Sequence, residues 1–137
     1  MKRGRALVLA FLPVLVACVP THASKPVSVA DNDPLRRAIV TDVVGVLSEV
    51  YETPATVLVP VRPMVGSFDS ALLAALRDKG FAVREASGVG DRFDSRVDVL
   101  EGNMYRVAVT VGTTTLSRVW VLDGANAYAG GAWTRRE

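Results

Sequence analysis

The sequence predicts an α+β domain, two helices packed on one face of a small mixed or antiparallel sheet of about four to five strands. Three observations lead there. Leu35 to Tyr51 carries apolar residues at helical spacing behind an Asp-Pro start. Phe68 to Leu76 repeats that spacing and stops at Gly80, and Tyr105 to Val111 puts apolar residues on alternate positions, as a half-buried strand does. The resulting order is helix, strand, helix, strand, then three strands or so. It divides the chain into a leader at residues 1–17, a tether at residues 18–32 and one domain at residues 33–137.

The leader opens with Lys2, Arg3 and Arg5 and continues as an apolar run from Ala6 to Ala17. Such a run suits a signal-peptide core, falls short of the roughly 20 apolar residues that a spanning helix needs, and contains Pro13. Leu15, Val16, Ala17 and Cys18 then match, position by position, the lipobox of bacterial lipoproteins: Leu, a small or branched residue, Gly or Ala, then Cys. That resemblance implies export, cleavage before Cys18 and a covalent lipid on its thiol. A plain secretory signal cleaved near Ala23 and a buried, inert thiol are the other readings of this region.

Loss of residues 1–17 removes three cations, so the formal charge of +2 becomes slightly negative. The remaining Lys and Arg are interspersed with 14 acidic residues instead of forming a patch, which argues against a nucleic-acid partner. Cys18 is the only cysteine, and once lipidated it leaves no thiol for a disulfide, so stability has to come from packing. Val19 to Asn32, with Pro20, Ser24, Pro26, Ser28 and Asp31, has the composition of a linker. His22 within it is a solvated side chain, since no neighbouring residue supplies a second metal ligand.

The first helix is expected from Asp33, as N-cap with Pro34 at the first helical position, to about Tyr51. Its valine-rich apolar half is wide enough to be buried on a sheet, with the alternative that part of it meets a partner or a membrane surface. Thr56 to Val61 follows as a strand with Val57, Val59 and Val61 on one side, and Pro60 marks it as an edge strand or one that ends there. Ser67 is the expected cap of the second helix and Phe81 to Glu85 the next strand. Ala86 to Arg96, with Gly88, Gly90, Asp91, Asp94 and Ser95, is expected as an exposed loop, and its spacing fits neither a phosphate cradle nor a calcium loop.

Val97 to Glu101 and Tyr105 to Val111 are the next strands, and Gly112-Thr113 suits a two-residue hairpin turn with glycine at positive φ. That turn sets Val109 opposite Leu116, Val107 opposite Arg118, Tyr105 opposite Trp120 and Thr110 opposite Thr115. Arg118 thereby points toward the core side, where it snorkels at the sheet margin or lies over Tyr105 or Trp120 as a cation on a ring. Asp123-Gly124 signals another turn, and Ala127 to Trp133 a last strand loosened by Gly130 and Gly131.

Several strings taken together are similar to the TrbH family of conjugal transfer lipoproteins. They are Tyr105-Arg-Val-Ala-Val-Thr-Val-Gly112, Thr115-Leu-Ser-Arg118, the ending Ala129 to Glu137, and Asp69 to Phe81. The likeness covers roughly Asp33 to Glu137, with the lipobox where the family has one. The segment Ala86 to Arg96 is short, where relatives carry a long Ala-, Ser- and Pro-rich insertion. The resemblance implies a part of a conjugative type IV secretion (mating-pair formation) complex, anchored at the outer membrane with its domain in the periplasm. Other outer-membrane core subunits would be its partners. Val19 after the lipidated cysteine is similar to lipoproteins sorted outward, where aspartate marks inner-membrane retention.

The residues themselves argue against an enzyme: no catalytic residue stands out, and there is no paired carboxylate, free thiol or histidine outside the tether. No cofactor and no metal are expected, only the covalent lipid on Cys18. Partner contacts are expected at Val57 and Val59 through edge pairing, or at the C-terminal strand, with Arg118 and Trp120 as further candidates. A periplasmic ligand- or cell-wall-binding lipoprotein, or a pilot for another outer-membrane assembly, is the alternative function.

Overall fold

Two helices lie on one face of a seven-stranded mixed sheet in the computed structural model, which describes residues 28–29, 31–84 and 87–137. The class is the expected α+β, but the sheet is larger than four to five strands. Helix α1 is Asp33–Val50. Its cap is Asn32 and not Asp33: the Asn32 side-chain oxygen accepts the Leu35 amide at 2.9 Å, and Asp33 is already helical, pairing with Arg36 one turn on. Its apolar half is spent inside the molecule, because Leu35, Ile39, Val40, Val43, Val46 and Leu47 are all buried.

Strand β1 is Val57–Pro60. Helix α2, Ser67–Lys79, starts after an uncapped Gly66 instead of on a Ser67 cap, and Gly80 closes it. Strand β2 is only Ala82–Val83, followed by β3 at Asp91–Val99 and β4 at Met104–Val111. Strand β5 is Thr114–Asp123, β6 is Asn126–Ala129 and β7 is Thr134–Arg136. The strand order is β2-β1-β3-β4-β5-β6, with β7 beside β5 as well. Strands β2, β1 and β3 run parallel, and from β3 onward the sheet is antiparallel.

The β4–β5 hairpin has the expected register at every position: Tyr105 to Trp120, Val107 to Arg118, Val109 to Leu116 and Thr110 to Thr115. Gly112 takes φ of 61°, the left-handed value that this tight turn needs and that glycine adopts without steric cost. On the wetter face the Thr110 and Thr115 hydroxyls lie 3.0 Å apart.

Three expectations are corrected. First, the segment taken as a loop, Ala86 to Arg96, contains most of the long strand β3; Phe93 and Ser95 face the core while Asp94, Arg96 and Asp98 face outward. Second, β1 is no edge strand but lies between β2 and β3, and of the two readings of Pro60 the other holds, since the strand ends there. Its core side is also reversed, since Leu58 is fully buried in the core cluster and Val61 is 41% exposed. Third, the single last strand is two short ones, β6 and β7, separated by Gly130, Gly131, Ala132 and Trp133.

Pro60 fits an interior strand for a geometric reason. Val61 donates to Phe93 across the β3 side, whereas Leu58 accepts from Arg84 across the β2 side. Alternation along a strand then turns Pro60 toward the β2 side, where the two-residue β2 stops short of it, so its missing amide takes nothing from the ladder to β3.

Candidate interaction surfaces

The four positions considered as partner contacts all have internal partners or cover. Val57 is half-buried, Val59 and Trp120 are 6% exposed, and Trp120 belongs to the core cluster. Arg118 sits on the helix side of β5, opposite Val107, and there it meets a carboxylate. Its Nη1 donates to both oxygens of Asp42 on α1, at 2.8 and 3.0 Å, and its Nε donates to the Gly131 carbonyl. Both side chains are 22% exposed, so the pair is partly desolvated. Arg118 thus forms a clasp, not among the contacts expected for it, that joins α1, β5 and the break between β6 and β7. Asp42 is 76 residues away in the sequence, and nothing in the local pattern around either residue shows that the two meet.

A second arginine forms the other polar knot, which sequence reasoning missed. Arg62, after β1, donates to Asp69 at 2.8 and 3.2 Å, to Asp94 at 3.1 Å, and to the Ser95 and Pro63 carbonyls. All five donors of the guanidinium are thus used within the chain. The Asp69 hydrogen bond, with both carboxylates nearby, holds the Arg62 pKa above its ordinary value against the opposing effect of burial. This knot joins β1, α2 and β3 beside a cleft of about 400 Å³ whose other walls include Val29, Phe68 and Val97. At the cleft, the Ser95 hydroxyl is buried without a hydrogen-bond partner.

The face of the sheet away from the helices is open and polar. Asp94, Arg96, Asp98, Arg106, Thr110, Thr115, Ser117 and Thr134 line a shallow basin there, with Arg106 paired to Asp98 at 2.9 Å. Among the described strands β2, β6 and β7 lie at the sheet margins, and β6 is the longest of them. Gly130 donates to the Val119 carbonyl, so alternation turns the amides of Ala127 and Ala129 outward. No cluster of three His, Cys, Asp or Glu positioned for a metal occurs among the described residues. Among the described residues no helix is long and apolar enough to cross a membrane. Leu15, Val16, Ala17, Cys18 and His22 lie outside the described residues.

Comparison with known families decides what this arrangement belongs to. The model of the family described as conjugal transfer protein TrbH matches residues 21–137, which include both helices, all seven strands and part of the tether. The chain belongs to the TrbH family. Membership makes it a component of conjugal transfer, a type IV secretion process, and bears out the resemblance carried by the hairpin and C-terminal strings. No curated protein and no solved structure matches the chain. Surfaces of this TrbH domain left over after internal pairing include the β6 edge and the open basin.

Proposed function

We propose that the protein is a lipid-anchored outer-membrane subunit of a conjugative type IV secretion complex, with residues 33–137 in the periplasm and Cys18 carrying the lipid. Family membership supports the process, and the Leu15 to Cys18 string supports the anchor. The assembly role rests on one observation: the β6 edge presents outward amides, and a free edge is a template for a strand of another subunit. The polar residues that the fold gathers, around Arg62 and Arg118, are consumed in ion pairs between its own elements, which suits a structural part better than a catalyst.

Two experiments test this reading. In cells, Cys18→Ser should abolish palmitate labelling and release the protein from membranes; a labelled, membrane-bound variant would remove the anchor. Ala129→Pro deletes an outward amide without touching the ladder to β5. It should abolish co-purification with the other outer-membrane core subunits at an unchanged melting temperature. Undiminished co-purification and transfer would rule out pairing at this edge.

A further inference from the structure

We infer that the 61–66 loop and the arginines beside it form a surface that rests on a bilayer of anionic phospholipid, facing the membrane that holds the anchor. The inference builds on the lipid-anchor reading of Cys18 and adds an orientation to it. Val65 is 84% exposed and Val61 41% exposed, while their neighbour Met64 is buried in the core cluster and holds the loop on the domain. An apolar side chain so far out of the fold is the kind that enters the headgroup boundary of a bilayer.

Charge complementarity points the same way. A hollow of about 360 Å³ beside Val65 is lined by Arg62, Arg77 and Arg84, and no carboxylate lines it. Arg62 is spent on Asp69 and Asp94, but Arg77 and Arg84 are exposed and make no ion pair among the described residues. Two exposed guanidiniums flanking a protruding valine match a phosphate-bearing surface.

The position of the tether supplies the geometric reason. Val29 is 9% exposed and packs into the core cluster, and the Asp31 and Asn32 amides both donate to the Ser28 carbonyl, fixing the end of the tether on the domain. Ser28 and Val29 line the same cleft as Arg62 and Gly66, so the chain leaves the domain beside the 61–66 loop. From Ser28 back to Cys18 an extended chain reaches at most about 35 Å. A lipid on Cys18 therefore holds this side of the domain close to the bilayer.

The test uses the lipidated chain in vesicles of 3:1 phosphatidylethanolamine and phosphatidylglycerol. An environment-sensitive fluorescent amino acid is placed at position 65, or at the exposed Thr113 in the turn between β4 and β5. The probe at 65 should emit to the blue and be quenched by brominated acyl chains, and the probe at 113 should do neither. Arg77→Gln and Arg84→Gln should each lower the docked-to-undocked ratio about fivefold, as should replacing the anionic lipid by phosphatidylcholine. A probe at 65 as wet as that at 113 overturns the proposal. Should Cys18 carry no lipid, palmitate labelling reports the failure of the anchor reading by itself. Coupling the Cys18 thiol to a maleimide headgroup lipid then places the chain on the same vesicles, and the same comparison decides the surface.

Discussion

Arg118 and Arg62 show how two cations of similar appearance in the sequence are given different tasks by their surroundings. Arg118 joins elements 76 residues apart, through a bidentate contact to Asp42. Removing one partner leaves the other partly desolvated, so Arg118→Met or Asp42→Asn should each cost about 1–3 kcal/mol, with a coupling of about 1 kcal/mol in the double mutant. Urea unfolding of the four proteins measures this; additive losses would mean that the clasp contributes nothing as a pair. The Arg62 knot makes a prediction about pH. With its pKa raised, the guanidinium contributes equally at every pH below its ordinary range, and stability from that source would be lost only in strong alkali. Arg62→Met instead leaves Asp69 and Asp94, 13% and 20% exposed, without their cation. Two partly buried carboxylates without a counter-charge are unfavourable, so the variant should be about 1–2 kcal/mol less stable than the parent at pH 7, as measured by urea unfolding. An unchanged stability would contradict the assignment. Neither knot was legible beforehand, because a sequence shows that a charge faces inward but not which distant charge it will meet.

At the scale of elements, what could be read depended on how cleanly polar and apolar residues alternate. β4 alternates over its whole length and the turn glycine fixes where β5 folds back on it, so one hairpin register follows, and a slip by one residue would turn Tyr105, Val107 and Val109 out of the core. β3 defeats the same test. Its core side is Phe93, Ser95 and Val97, and the buried serine breaks the apolar pattern, while Asp91, Arg92, Asp94 and Arg96 give it the composition of a loop. β1 fails in the opposite way: Val57, Leu58, Val59 and Pro60 are all apolar, so either side could be the core. The structure picks Leu58, fully buried, and truncation there should be expensive. Leu58→Ala should lose about 2–5 kcal/mol, whereas the half-buried Val57→Ala should lose about 1 kcal/mol, as measured by thermal or urea unfolding. Equal losses would put the core on the wrong side of the strand.

The whole molecule is a sheet of two halves, parallel around β1 and antiparallel from β3 onward, joined at β3. Helix α1 and the Arg118 clasp sit over the antiparallel half, while α2 and the Arg62 knot serve the parallel one. Protection should follow that layout. The amides of Val107 and Val109, in a strand flanked on both sides and nearly fully buried, should be the slowest to exchange with solvent. Those of Thr134 to Arg136, all exposed in a three-residue strand, should be the fastest of the sheet. Exchange of β4 as rapid as that of β7 would mean that the halves do not share one cooperative core. The α+β class and one domain were visible in the order of elements. The extra strands were not, because β2 and β7 are two and three residues long and are made by pairing, not by pattern.

The interruption between β6 and β7 has a bearing on crowding. Chains anchored on one membrane meet one another at high local concentration, and a long straight margin would let them zip together without limit. Here a neighbour can align with the four residues of β6 before the Gly130-Gly131 gap bends the margin away. The same short stretch that admits one strand thus denies a self-propagating ribbon, and past the gap the margin passes to β7 with its exposed Arg135 and Arg136.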